Sequence, residues 1–279
     1  MQQQSIAQNK YNGTKATVND KFDFGRLMYL IHRRFTYEKR LILIGSGAFF
    51  GILCTIAVLN GLIAKPDADT NMANTFFASN GSAIFMLYTV YILTGAFLSI
   101  TASLAFSEYG DRRTRLAAMV VPATKAEKFV AALSVNVIVA TVFAVCADMA
   151  AELIRKAFLP ADYMWMWQSD LVDVISENGG DDIIVLTVVS FIVTIFTAQA
   201  LFVLGSTMWP KLSFVKTLLA SWLLSIVGSI VIMIASNQIG SFKSQMILQI
   251  SLYAIVAIAA YILSWIRFDR TVLVQRFMK

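Results

Sequence analysis

The residues of this sequence best suited to chemistry are charged groups at the edges of long apolar runs. The segment Ser107–Phe129, SEYGDRRTRLAAMVVPATKAEKF, carries Glu108 and the cations Arg112, Arg113, Arg115, Lys125 and Lys128. Its centre, Leu116 to Val121, is mildly apolar, and Pro122 breaks it before a second charged start at Lys125. A plain connector between two membrane spans needs only a few turn residues. This one is long enough for a short helix outside the membrane. Its basic side chains, with Leu116, Met119 and Val120 on one face, could grip a soluble partner.

The other candidates point away from catalysis. His32 is the lone histidine, flanked by Arg33 and Arg34, and reads as a surface residue. Cys54 and Cys146 are widely separated inside apolar runs, so neither a disulfide framework nor a metal cluster is expected. Gly45-Ser46-Gly47 lacks the lysine of a phosphate-binding loop, and such glycines serve close helix contact or a bend. Asp148 and Glu152 stand near the outer end of the third apolar run and are expected at the interface, the span running on to Ile154 if both are shielded. Charges at membrane depth are otherwise scarce, which disfavours an ion-coupled carrier. Of the milder polar residues in the spans, Asn136 and Gln199 are the candidates for packing contacts or a pathway lining. No catalytic residue and no metal site is assigned, and the chain is expected not to be an enzyme.

The elements that position these residues follow from composition. The chain has 279 residues, of which 58% are hydrophobic and 14% charged. A soluble domain of this size cannot hide so much apolar surface, typical usage being about 45–50% apolar and 25% charged. The apolar runs are long rather than alternating, so the expected fold is an all-α integral membrane protein. Six spans are expected at Leu41–Ala64, Ser82–Phe106, Phe129–Ala147, Ile183–Met208, Thr217–Ala235 and Met246–Ile266, within a transmembrane domain 41–266. Residues 1–21, rich in Gln, Asn, Lys and Thr, read as a flexible tail, and 267–279 as a basic tail. In 22–40, Phe24, Leu27, Met28, Ile31 and Phe35 recur at helical spacing, with Arg26, Arg33 and Arg40 opposite. That pattern predicts an amphipathic helix lying in the membrane interface, with lipids as its partner.

Charge asymmetry sets the orientation. With both termini cytoplasmic, 19 of the 23 Lys and Arg residues fall on the cytoplasmic side, in the N-terminal 40 residues, 107–128, 209–216 and the C-terminal tail. The net charge of +6 then records membrane anchoring rather than nucleic-acid binding. The external segment 148–182 is the mirror image, with eight acidic residues and two basic ones. Its Tyr163, Trp165 and Trp167 suit the headgroup level.

An amphipathic helix leading into six spans, a charged helical loop between spans two and three, and cytoplasmic termini together resemble the membrane subunit of an ABC-2 type (type V) ABC exporter. Glu108 matches the acidic residue that opens that family's loop, Arg112 to Val121 the loop helix, and Pro122-Ala123-Thr124 with Glu127-Lys128 the turn into span three. Phe24 to Arg40 resembles the family's connecting helix. The sequence departs from the family at Ser236–Gln245, which is too short for the re-entrant hairpin many members carry between spans five and six. The resemblance implies a permease without a fused ATPase, in a bacterial inner membrane. Two permease subunits, identical or different, would pair above a separate ATPase subunit that holds ATP and magnesium. Glu108, Arg112, Arg113, Arg115, Leu116, Met119 and Val120 would then contact that ATPase. The other reading compatible with the residues is a non-transporting anchor, immunity or regulatory subunit of a membrane complex.

Overall fold

The computed structural model describes residues 22–63, 72–109, 115, 118, 121–158, 181–209, 212–236 and 242–274. Its described elements are helical. They are α1 (Phe24–Ile63), α2 (Met72–Ser103), a short 3-10 turn (Ser107–Tyr109), α3 (Lys125–Leu133), a π-helical turn (Ser134–Val139), α4 (Ala140–Phe158), α5 (Asp181–Met208), α6 (Ser213–Ser236) and α7 (Phe242–Val274). The run from α3 through α4 is one continuous rod, so among the described residues six helices are long and apolar enough to cross a membrane. The architecture is that of a multi-span membrane protein.

The helix boundaries differ from expectation in instructive ways. The segment 22–40 and span one are a single 40-residue helix, with no break at Arg40. At 1.5 Å per residue it is about 60 Å long, roughly twice a hydrocarbon core. The first turns of α1 therefore continue the span instead of forming a separate element. Span three does not end at Ala147, because α4 runs on to Phe158. Asp148, Glu152 and Arg155 are all buried within the bundle. This corrects the boundary at Ala147 in favour of the continuation past Asp148: side-chain partners shield the two acids from their surroundings, as described below.

Two clusters hold the bundle. In one, Phe49, Leu53 and Ala57 of α1 and Met86, Val90 and Leu98 of α2 surround Ala140, Ala144, Ala147 and Ala151 of α4. Alanines at spacings of four and three let backbones approach closely, which suits helix packing where lipid offers no hydrophobic driving force. Phe49 stacks on Phe97 with ring centroids 4.4 Å apart. The second cluster lies at the other end, where Phe106, Phe129 and Phe268 meet with centroids 5.1–5.6 Å apart and join the end of α2 to α3 and α7. Gly205 brings α5 against α6. A Cβ there would lie 2.7 Å from Cβ and Cγ2 of Thr217, closer than two carbons can sit. Most of the outward surface of α6, including Trp222 and Leu223, is exposed and apolar, as a lipid-facing helix requires.

Candidate functional site

The basic end of the bundle is built around one carboxylate. Thr124 and Glu127 form a reciprocal capping box at the start of α3: Thr124 Oγ1 accepts from the Glu127 N–H at 3.2 Å, and Glu127 Oε2 accepts from the Thr124 N–H at 2.8 Å. This satisfies two orphan backbone donors at a helix start. The other oxygen, Glu127 Oε1, accepts from the backbone N–H of Asp23 at 2.8 Å and lies 3.3 Å from Arg26 Nη2. Glu127 is fully buried. One side chain thus caps α3 and clasps the first turn of α1. Leu27 and Leu30 of α1 pack on Ala131, Val121 and Ala123 beside it.

Three further contacts fix this end. Arg34 is buried and donates from Nη2 to the Ala105 carbonyl, and its Nε is 4.0 Å from Glu108. Lys125 Nζ pairs with Asp269 of α7 at 2.5 Å. Both ends of the segment 107–128 are therefore anchored, the first by α1 and the second by α1 and α7.

Of the predicted partner-docking residues, Glu108 lies at this junction and Arg115 is half-buried. Arg112, Arg113, Leu116, Met119 and Val120 lie outside the described residues. Of the predicted amphipathic set, Phe24, Met28 and Phe35 are exposed, as lipid-facing side chains would be. Leu27 is buried, and Ile31 packs partly buried in the same cluster, both against protein. Arg33 and Arg40 are exposed, whereas Arg26 turns to Glu127. The apolar stripe is thus shared between the surface and α3. Neither the capping box nor the Arg26 contact was expected from sequence. Thr124-Lys125-Ala126-Glu127 carries the capping signature openly; the Arg26 contact has no local signal.

A cavity of about 270 Å³ opens between α1 and this segment. Arg33, Arg34 and Lys128 line it, with Glu108 as the counter-charge and Tyr37 and Tyr109 at its sides. Lys128 Nζ donates to the Ala118 carbonyl at 3.0 Å.

A second set of polar groups runs along one face of the third span. Arg155 binds Glu152 in a two-point pair, Nε to Oε2 at 2.8 Å and Nη2 to Oε1 at 2.6 Å, and both residues are buried. One turn inward, Asp148 accepts from Thr94 Oγ1 of α2 at 2.9 Å. Farther in, Gln199 Nε2 of α5 donates to Thr141 Oγ1 at 2.9 Å. Gln199 therefore makes a contact between helices. Asn136 is buried in the π-helical turn, and its amide reaches only the Ala132 carbonyl of its own helix, at 3.3 Å. Among the described residues no group of three or more His, Cys, Asp or Glu side chains could hold a metal ion.

Comparison with protein-family models, with curated proteins and with solved structures finds no match to this chain. The fold and the site therefore stand on the residues themselves.

Proposed function

We propose that this chain is the permease subunit of an ABC-type exporter of the cytoplasmic membrane, driven by a separate ATPase subunit. The observation that carries the reading is the double anchorage of the basic segment 107–128. Force applied to a connector reaches the membrane only if both of its ends are fixed to helices that cross it. Here Glu127 ties the far end to α1, and Lys125 ties it to α7. The near end follows α2 directly and is held by Arg34. A partner that grips Arg112 to Val121 would pull on α1, α2, α3 and α7 together. The charge asymmetry supports a cytoplasmic position for the segment, where an ATPase would meet it. Nucleotide and magnesium belong, in this reading, to the partner. A second permease subunit would complete the pathway, and the substrate is left open.

The test is to sequence the neighbouring reading frames and, where one encodes an ABC ATPase, to co-express it with this chain. The wild-type chain should co-purify with that ATPase and stimulate its hydrolysis. Arg112→Glu, Arg113→Glu and Arg115→Glu combined should abolish both effects while leaving the chain folded in the membrane. Undiminished association and stimulation in the triple variant would remove the coupling role.

A further inference from the structure

We propose that the cavity between α1 and the segment 107–128 binds the phosphate of an anionic phospholipid headgroup. This inference is independent of the exporter reading, because it needs only a bilayer around the helices.

Among the described residues, three cations meet at this cavity against one carboxylate. Arg33, Arg34 and Lys128 line it, and Glu108 is the acid. Arg34 is already committed to the Ala105 carbonyl and Glu108. Arg33 is exposed, and Lys128 uses one donor on Ala118, while an ammonium has three. The lining therefore keeps excess positive charge and unspent donors. A phosphate, with several acceptor oxygens, is the chemistry that matches them. A volume of about 270 Å³ is near the lower end for small-ligand sites, which begin at roughly 300 Å³. That is room for a headgroup and not for a large solute.

Depth decides the source of the phosphate. The apolar stretch of α1 that can cross a membrane begins at Lys39, two residues beyond Tyr37. The crossing stretch that includes the second half of α2 ends at Tyr109 itself. The third begins at Lys125, three residues before Lys128. By length and composition, all three crossing stretches thus begin or end beside the cavity, which suits the headgroup level. Tyr37 and Tyr109 suit that level, and Leu30, Val121 and Ala131 offer an apolar floor for the glycerol and first methylenes. Basic pockets between helices at a membrane surface bind such headgroups.

The experiment uses the full chain purified in a neutral detergent. Binding is measured for dihexanoyl phosphatidylglycerol, dihexanoyl phosphatidylcholine and inorganic phosphate. The anionic lipid should bind at least about fivefold more tightly than the zwitterionic one, since one basic residue at a membrane surface contributes about that factor. Arg33→Gln and Lys128→Gln should each weaken the anionic lipid about fivefold and the zwitterionic one, whose choline offsets the phosphate charge, by less. Lys39→Gln, on the same helix but outside the cavity, should change nothing. Arg33 is exposed, so its variant keeps the test meaningful even if Lys128→Gln disturbs the bond to Ala118. Equal affinity for the two lipids, or unaltered binding by Arg33→Gln, would overturn the site. Inorganic phosphate binding as tightly as the anionic lipid would overturn the lipid as its occupant.

Discussion

Glu127 accepts a hydrogen bond from the backbone N–H of Asp23, 104 positions earlier in the chain, at 2.8 Å. The same carboxylate caps its own helix through Thr124. One buried group therefore decides both where α3 starts and where α1 is held. Glu127→Ala should cost more than the loss of a cap alone, which is about 1 kcal/mol. It also strands the Asp23 and Thr124 N–H groups, each at about 1–3 kcal/mol if water does not reach it. Thr124→Ala should cost only about 1 kcal/mol, because Glu127 keeps its other partners. Thermal unfolding in detergent checks the order, and amide exchange at Asp23 checks the cause. Equal losses in the two variants would show that the clasp on α1 contributes nothing.

The pair Arg155–Glu152 gives a prediction in which the double change costs less than either single one. Both side chains are buried and joined at two points. Removing one leaves a charge without its main counter-ion in a dry site, at a cost of about 3–5 kcal/mol. Replacing both by apolar residues of similar size removes the desolvation cost as well and is often near neutral. Glu152→Leu and Arg155→Met should each lower the unfolding temperature strongly. The double variant should recover most of the loss. A double-mutant cycle measures this directly, and additive losses would contradict the pairing.

These two sites show what was legible in the sequence and what was not. Six crossings follow from hydropathy, because apolar runs of this length have no other stable environment. The end of span three is expected at Ala147, with a continuation to Ile154 only if the acids are shielded, because Asp148 reads as the edge of an apolar run. Pairing hides it: Glu152 and Arg155 sit three positions apart on one helix face, and Thr94 reaches Asp148 from α2. The first of those partners is visible in the spacing, whereas the second requires knowing which helices touch. The capping box was legible, since Thr124 and Glu127 have the required spacing just before an apolar run. Arg26 was assigned to headgroups on periodicity, and no local pattern could direct it to Glu127. The π-helical turn at Ser134–Val139 has no sequence signal that separates it from ordinary helix.

Gly205 sets the approach of α5 and α6. Gly205→Ala would place a methyl group 2.7 Å from Thr217 Cβ and Cγ2, so the two helices must move apart. Overpacking of this kind costs about 1–3 kcal/mol. Thr217→Ala removes Oγ1 and Cγ2 but not Cβ, so it should rescue part of the loss and not all of it. Unfolding of the two single variants and the double variant in detergent gives the coupling. Independent effects would mean that Gly205 does not pack on Thr217.

The last prediction concerns which way the bundle faces. Of the Lys and Arg residues, 19 of 23 lie in segments that one orientation makes cytoplasmic. Basic flanks resist translocation, so the segment 107–128 should stay inside and the acidic stretch 159–182, which follows the end of α4, should cross. Cys54 and Cys146 are free thiols, with Cys146 exposed on the bundle, and both are replaced by Ser before labelling. Arg115→Cys should then react with a membrane-impermeant maleimide only after cell lysis, and Trp167→Cys should react in whole cells. The reverse pattern would place the clasp around Glu127 on the outer surface. An ATPase could not reach it there, and the exporter reading would fall. The phospholipid site would survive, because headgroups line both faces of a bilayer, and the two proposals are thereby separable.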